Sequence, residues 1–174
     1  MKAPLKSEDE FQLLFDFADT MEEPLKYRLM LLLSVRLGLR PKEMSLMTDR
    51  WMDVHQLHIP LHGSKGRGTR TLPISEEILA AYRAYMGNRG GRVFLNRDGN
   101  PIDAGGISTA LRRLYSRAGV KGSCYSGRRT LATKLVDKKT PLTVVQRILG
   151  HAHLSTTALY VGTTQTAMGE ALFQ

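Results

Sequence analysis

The segment Leu25 to Val35 (LKYRLMLLLSV) constrains the fold of this chain more than any other. Leu25, Leu29, Leu32 and Leu33 recur at helical spacing, and towards its end the stretch is apolar over most of its circumference. A helix of that kind belongs at the centre of a core, with other elements packed around it. The run Leu29 to Val35 ends at Arg36 and is far too short to cross a bilayer. Pro24 starts the helix and Gly38 stops it. Pro41 then suits the first turn of a short helix through Glu43, Leu46 and Met47.

The flanking sequence supplies the elements to surround it. Ser7 followed by Glu8, Asp9 and Glu10 reads as a helix start, and Phe11, Leu14, Phe15 and Ala18 follow at helical spacing. The periodicity changes at Val54 to Leu61 and Thr69 to Ile74. These are short, β-branched segments either side of a Gly-rich turn, Gly63 to Gly68, and they predict a β-hairpin over 54–74. A helix follows from Ser75 to Met86, Val93-Phe94-Leu95 reads as an edge strand, and Asn96 to Pro101 as a turn. Further helices are expected near Ile107 to Ala118, Gly127 to Asp137, Pro141 to Leu149, Ser155 to Tyr160 and Thr166 to Phe173. No repeat, low-complexity tract or dividing linker interrupts the chain. The fold class is mainly α with a small antiparallel β-sheet, in a single domain spanning 1–174. An N-terminal helix over 1–23 and a tail helix over 161–174 bracket it. With Cys124 alone, neither a disulfide framework nor a thiolate zinc site is open to it.

Charge narrows the partner. Lys and Arg number 25 against 16 Asp and Glu, a net +9, which favours a polyanion: nucleic acid first, an anionic membrane surface second. Met1-Lys2 is followed by acids where a signal peptide needs its apolar stretch, so a soluble cytoplasmic protein is the default expectation. The cations are clustered: Arg36, Arg40 and Lys42; Lys65, Arg67 and Arg70; Arg112, Arg113 and Arg117; Arg128 and Arg129. Each cluster alone reads equally well as a solvated face, yet separated Arg groups also suit a phosphate backbone. The loop Gly63 to Gly68 is no Walker loop, since a strand rather than a helix follows it, and no Rossmann fingerprint is present. His151 and His153 are two apart, on different faces of any helix, with no companion for a zinc site. A hydrolase elbow of the Gly-x-Ser-x-Gly type is missing as well.

Four segments, in order, carry a resemblance. Leu37-Gly38-Leu39-Arg40-Pro41-Lys42-Glu43 resembles the first signature box of the tyrosine recombinase/phage integrase family, with Leu46 and Asp49 in step behind it. Gly63 to Pro73 (GSKGRGTRTLP) resembles the family's Lys-bearing β-hairpin, and Gly127 to Thr133 (GRRTLAT) its second Arg box. Leu149-Gly150-His151 with Ser155-Thr156-Thr157 and Tyr160 is similar to the closing box.

The resemblance implies the catalytic-domain fold of that family and a metal-free, cofactor-free transesterification at a DNA phosphodiester. By it, Tyr160 attacks the scissile phosphate and forms a 3′-phosphotyrosyl link, which stores the bond energy without ATP. Arg40 and Arg128 clamp the non-bridging oxygens, Lys65 protonates the leaving 5′-oxygen, His151 hydrogen-bonds the phosphate, and Glu43 fixes the geometry from behind. Tyr125 stands where the family usually has His; a phenol donates a hydrogen bond but is a poor base near neutral pH. Lys42, Arg67, Arg70, Arg112, Arg113, Arg117 and Arg129 are the expected DNA contacts. The implied partner is double-stranded DNA at a recombination site. Assembly is expected as a homo-tetramer on DNA from a monomer in solution, with accessory DNA-bending proteins and no membrane. With about 36 residues ahead of the first box, the sequence is expected to lack the family's N-terminal core-binding domain, and a phage-encoded or nucleoid-associated setting is expected. The implied function is site-specific recombination. A DNA-binding regulator weakened at Tyr125, and topoisomerase-like relaxation, are the alternatives.

Overall fold

The computed structural model describes residues 8–60 and 68–161. Its elements are α1 (Glu8–Asp19), α2 (Pro24–Val35), α3 (Pro41–Leu46), a 3-10 turn (Asp49–Trp51), β1 (Gln56–Ile59), β2 (Arg70–Pro73), α4 (Glu76–Met86), α5 (Ala104–Arg117), α6 (Ser126–Asp137), α7 (Leu142–Leu149) and α8 (Leu154–Ala158). The predicted helix start at Ser7, the hairpin residues Lys65 and Arg67, and the tail helix over 166–173 lie outside the described residues.

Helix α2 is the axis of the molecule. Leu29 to Leu33 are all buried, and α1, α4, α5 and α6 pack around the helix. Its amphipathic neighbours cover most of it, leaving Leu25 and Arg28 in its first turns exposed or partly exposed. Gly38, at φ +65°, turns the chain out of α2 in a left-handed conformation that an L side chain adopts only with strain. The chain then reverses into α3, which therefore starts against the end of the core helix.

The two strands pair antiparallel, with Leu57 opposite Leu72 and Ile59 opposite Arg70. They are shorter than the 54–61 and 69–74 expected. Alternation sends Leu57, Ile59 and Leu72 inward. Arg70 stands two residues from Leu72 and so shares its inward face.

Two elements differ from expectation. Val93 to Leu95 forms no strand: Arg92 bridges Thr48 and Leu95 bridges Pro101 only singly, and Val93 N–H donates to Met47 O at 3.0 Å. Val93 and Phe94 are buried as core anchors, so their apolar character serves packing rather than a ladder. Helix α5 begins at Ala104, three residues before Ile107, because the Asp103 carboxylate caps it by accepting from Gly106 N–H at 2.6 Å. No described helix is long and apolar enough to cross a membrane.

Candidate active site

Arg40 sits immediately before α3, with extended backbone, and Pro41 opens the helix. Glu43, one turn on, reaches back to accept from the Arg40 backbone N–H at 2.7 Å and from Arg40 Nη1 at 3.0 Å. Arg40 Nη2 donates to Gly150 O at 3.0 Å, so the side chain bridges α3 to the turn after α7. Gly150 is left-handed at φ +59° and ends α7, which swings His151 back toward the site.

Arg128 comes from the first turn of α6 and is buried at 4 % exposure. Its Nη1 donates to Gly38 O and its Nη2 to Leu149 O, tying the end of α2 to the end of α7. Gly127 makes this close approach possible. A Cβ there would stand 2.6 Å from Ser34 Oγ and 2.7 Å from Val35 Cγ1. Burial, and then the charges of Arg40 and Arg70, pull the Arg128 guanidinium down to about 9; Glu43 and Tyr160 oppose the shift. It stays cationic near neutral pH, and a bound anion would offset the cost of burying its charge.

Glu43 is itself buried at 1 % exposure. Burial pushes its carboxyl up, but the hydrogen bonds and charge of Arg70, joined by Arg40, outweigh that and hold it below its ordinary value. Arg70 supplies two donors to that carboxylate, Nη1 at 2.6 Å and Nη2 at 3.0 Å. Expected among the DNA contacts, Arg70 is instead turned inward on β2, with its side chain 9 % exposed.

His151 is 9 % exposed, and its Nδ1 lies 2.9 Å from the hydroxyl of the fully buried Thr157. The tertiary structure adds Thr157 to the site as a support for the imidazole. Its signal in the sequence was the Thr-Thr pair before Tyr160, which lacked an assigned partner. Tyr160 follows α8 in a turn, its ring parallel to that of His151 at 6.3 Å between centroids. Its apolar body rests on the small cluster of Ala132, Val145 and Leu149. Arg40, Arg128, His151 and Tyr160 are thus brought together, with Glu43 behind them.

The remaining expected residues are spread more widely. Tyr125 is 42 % exposed and lines a 270 Å³ pocket with Arg112, Arg129, Ser108, Ser123 and Cys124, beside the site rather than in its buried network. Lys42, Arg112, Arg113 and Arg117 are exposed, and Arg129 is half-buried. The Arg117 guanidinium lies 6.0 Å from the Phe17 ring centroid. Lys65 and Arg67 lie outside the described residues. Among those residues no group of three His, Cys, Asp or Glu comes together that could hold a metal ion.

This arrangement sets two guanidiniums and an imidazole, groups that suit an anion, beside a phenol. The tyrosine recombinase XerA of Pyrococcus horikoshii is 26 % identical over 172 residues, covering 95 % of this chain. The chain spans 59 % of that relative's length. The Tn1549 transposon integrase, solved in complex with circular intermediate DNA, superposes with a TM-score of 0.79 at 21 % identity, covering 99 % of this chain and 66 % of the other. The catalytic domain of bacteriophage HP1 integrase gives 0.72 at 19 % identity, covering 99 % of this chain and 95 % of that domain. These structural likenesses establish the fold, that of a tyrosine recombinase catalytic domain. The sequence profile of the phage integrase family matches residues 6–166, and the chain belongs to that family.

Proposed function

We propose that this chain breaks and rejoins DNA at a specific site through a covalent 3′-phosphotyrosyl intermediate. One observation carries the reading: Arg40, Arg128, His151 and Tyr160, from four separate segments, meet around one position. The two guanidiniums are held by backbone carbonyls and Glu43 before any substrate arrives. Pre-oriented donors stabilise charge that develops on a phosphorane without reorganising at the moment of reaction. Tyr160 gives its phenol proton to solvent as it attacks, and the O–P bond it forms replaces the P–O bond to the 5′-oxygen. Lys65 protonates that leaving oxygen, and His151 donates to a non-bridging oxygen. Tyr125, at the rim, supplies a hydrogen bond in the position the family usually gives to His.

The substrate in this reading is double-stranded DNA. The exposed Lys42, Arg112, Arg113 and Arg117 suit phosphate contacts. Arg129 and Arg67 are further proposed contacts. Four copies acting together on two duplexes, from a monomer in solution, complete the proposal, in a soluble protein working where the DNA is.

The test works with an undefined target sequence. The protein is incubated with sheared genomic DNA of the organism that encodes it, denatured and recovered, and the attached DNA is sequenced. An adduct enriched in one sequence is expected, and Tyr160→Phe should eliminate it while leaving non-covalent binding unchanged. Binding without any adduct would instead favour a regulator that kept the fold. Adducts that religate without exchanging partners would favour relaxation.

A further inference from the structure

Arg70 differs from the exposed cations of the molecule in what surrounds it. It occupies the inward face of β2 with Leu72, and its side chain is 9 % exposed. Both terminal nitrogens face the Glu43 carboxylate. The same carboxylate accepts from the Arg40 backbone and from Arg40 Nη1, and Arg40 Nη2 holds Gly150 O. The circuit closes through packing: a Cβ on Gly150 would lie 2.5 Å from Arg70 Nη1 and 3.1 Å from its Cζ. The guanidinium therefore fills the space beneath the left-handed turn that leads into His151. Three segments distant in sequence, β2, the start of α3 and the turn after α7, converge on one planar group.

Two of its five N–H groups are committed to Glu43 and its Nε–H is buried, so reaching a backbone phosphate from a side chain 9 % exposed would draw the fork off the carboxylate. Doing so would remove the fork from a buried carboxylate, and breaking a buried pair from one side is strongly destabilising. Arg is required for the arrangement because its planar fork meets both carboxylate oxygens at once, which a single ammonium cannot do.

We propose that Arg70 is a positioning residue that fixes Arg40 and the Gly150–His151 turn around the reacting phosphate through Glu43, and that it does not itself contact the DNA backbone. This role rests on the proposed strand-cleavage function. Its loss should slow the chemical step while sparing affinity, because the cations facing the phosphate are displaced rather than removed.

The experiment compares Arg70→Met, Arg70→Lys and the double variant Glu43→Gln/Arg70→Met. The DNA is a nicked duplex carrying the sequence recovered from wild-type adducts, or, if none form, an arbitrary 30-bp duplex for binding alone. Arg70→Met is expected to lower the single-turnover rate of adduct formation by about 100-fold, the scale set by a misplacement near 1 Å. Its affinity should stay within about twofold and its salt slope unchanged, as no phosphate contact is lost. Arg70→Lys should recover only part of the rate. The double variant, which leaves no unpaired carboxylate in the interior and so keeps the comparison open if Arg70→Met unfolds, should be no slower than Arg70→Met. A salt slope lower by about one, with weakened binding and full rescue by Lys, would identify a phosphate contact and overturn the proposal.

A nuclear magnetic resonance arm is independent of cleavage, so that a wild-type protein forming no adduct refutes the function and still judges the positioning. In Arg70→Met the Glu43 carboxyl carbon should titrate at higher pH than in wild type, with Arg40 and Arg128 left as the charged groups facing it, and the Arg40 Nε–Hε signal should shift. Unchanged signals at both residues would overturn the proposal.

Discussion

The buried guanidiniums of the candidate site and the exposed ones of α5 are the same side chain put to opposite physical use. Arg128 is enclosed at 4 % exposure with two backbone carbonyls, and Arg70 is locked on a carboxylate. Arg112 and Arg113 stand on the solvent face of α5, whose other face buries Ile107, Leu111 and Leu114. Arg112 donates to the Thr109 hydroxyl at 3.2 Å, one turn away on its own helix. The buried set couples segments to one another and bears on folding as well as chemistry. The exposed set acts through a field that salt screens. Charge counting treats the two as equivalent; their surroundings separate them.

The comparison breaks most readily at Arg128. Replacing it with Met should strand the Gly38 and Leu149 carbonyls, at about 1–3 kcal/mol for each buried acceptor left unpaired. A calorimetric Tm lower by roughly 5–15 °C is expected, together with loss of detectable adduct. A variant as stable as wild type would show that those carbonyl bonds contribute little.

Glu43→Gln should come next. The Glu43 carboxyl is held below its ordinary value, so the stability it contributes is complete above the unfolded-state value and is lost as pH falls through the folded-state value. Denaturant unfolding from neutral pH down through the acid range should therefore show a steeper acid loss in wild type than in Glu43→Gln, with the variant the weaker of the two at neutral pH. Parallel curves would remove the buried network from the account of stability.

Gly127→Ala tests packing without touching a charge. A Cβ at 2.6–2.7 Å from Ser34 and Val35 must push α6 off α2. Overpacking of this kind costs about 1–3 kcal/mol, read in urea melts. The displacement of Arg128 should also slow adduct formation.

The smallest effect on stability belongs to Arg113→Ala, expected within about 0.5 kcal/mol of wild type. On DNA it should lower the salt slope of binding by about one and leave the cleavage rate of bound DNA alone. A large Tm change would place Arg113 with the structural cations after all.

How much of this was legible in the sequence depends on the kind of signal. Local signals worked where a single segment decides its own state. The helix expected from Ser75 to Met86 forms as α4 with Ser75 capping it by accepting from Ile78 N–H, and the all-round apolar stretch of α2 became the central helix. They failed at Val93 to Leu95, where Val93 and Phe94 are buried in the core and Leu95 makes only a single bridge to Pro101. The inward turn of Arg70 had a weak trace, the two-residue offset from Leu72, which a reading for charge passes over.

The sequence by itself determined the mainly helical class, the hairpin and the central helix, because each depends on periodicity within one segment, while the four boxes were legible through their resemblance to a known family. Only the tertiary structure decided that Arg70 is paired with Glu43, that Thr157 supports His151, and that Arg128 joins the ends of α2 and α7. Those pairings join residues up to 90 positions apart, as between Arg128 and Gly38. Whether a cation faces water or a buried acceptor is set by what folding brings beside it. Desolvation makes a partner obligatory in the interior, and no property of the side chain alone announces which partner that will be.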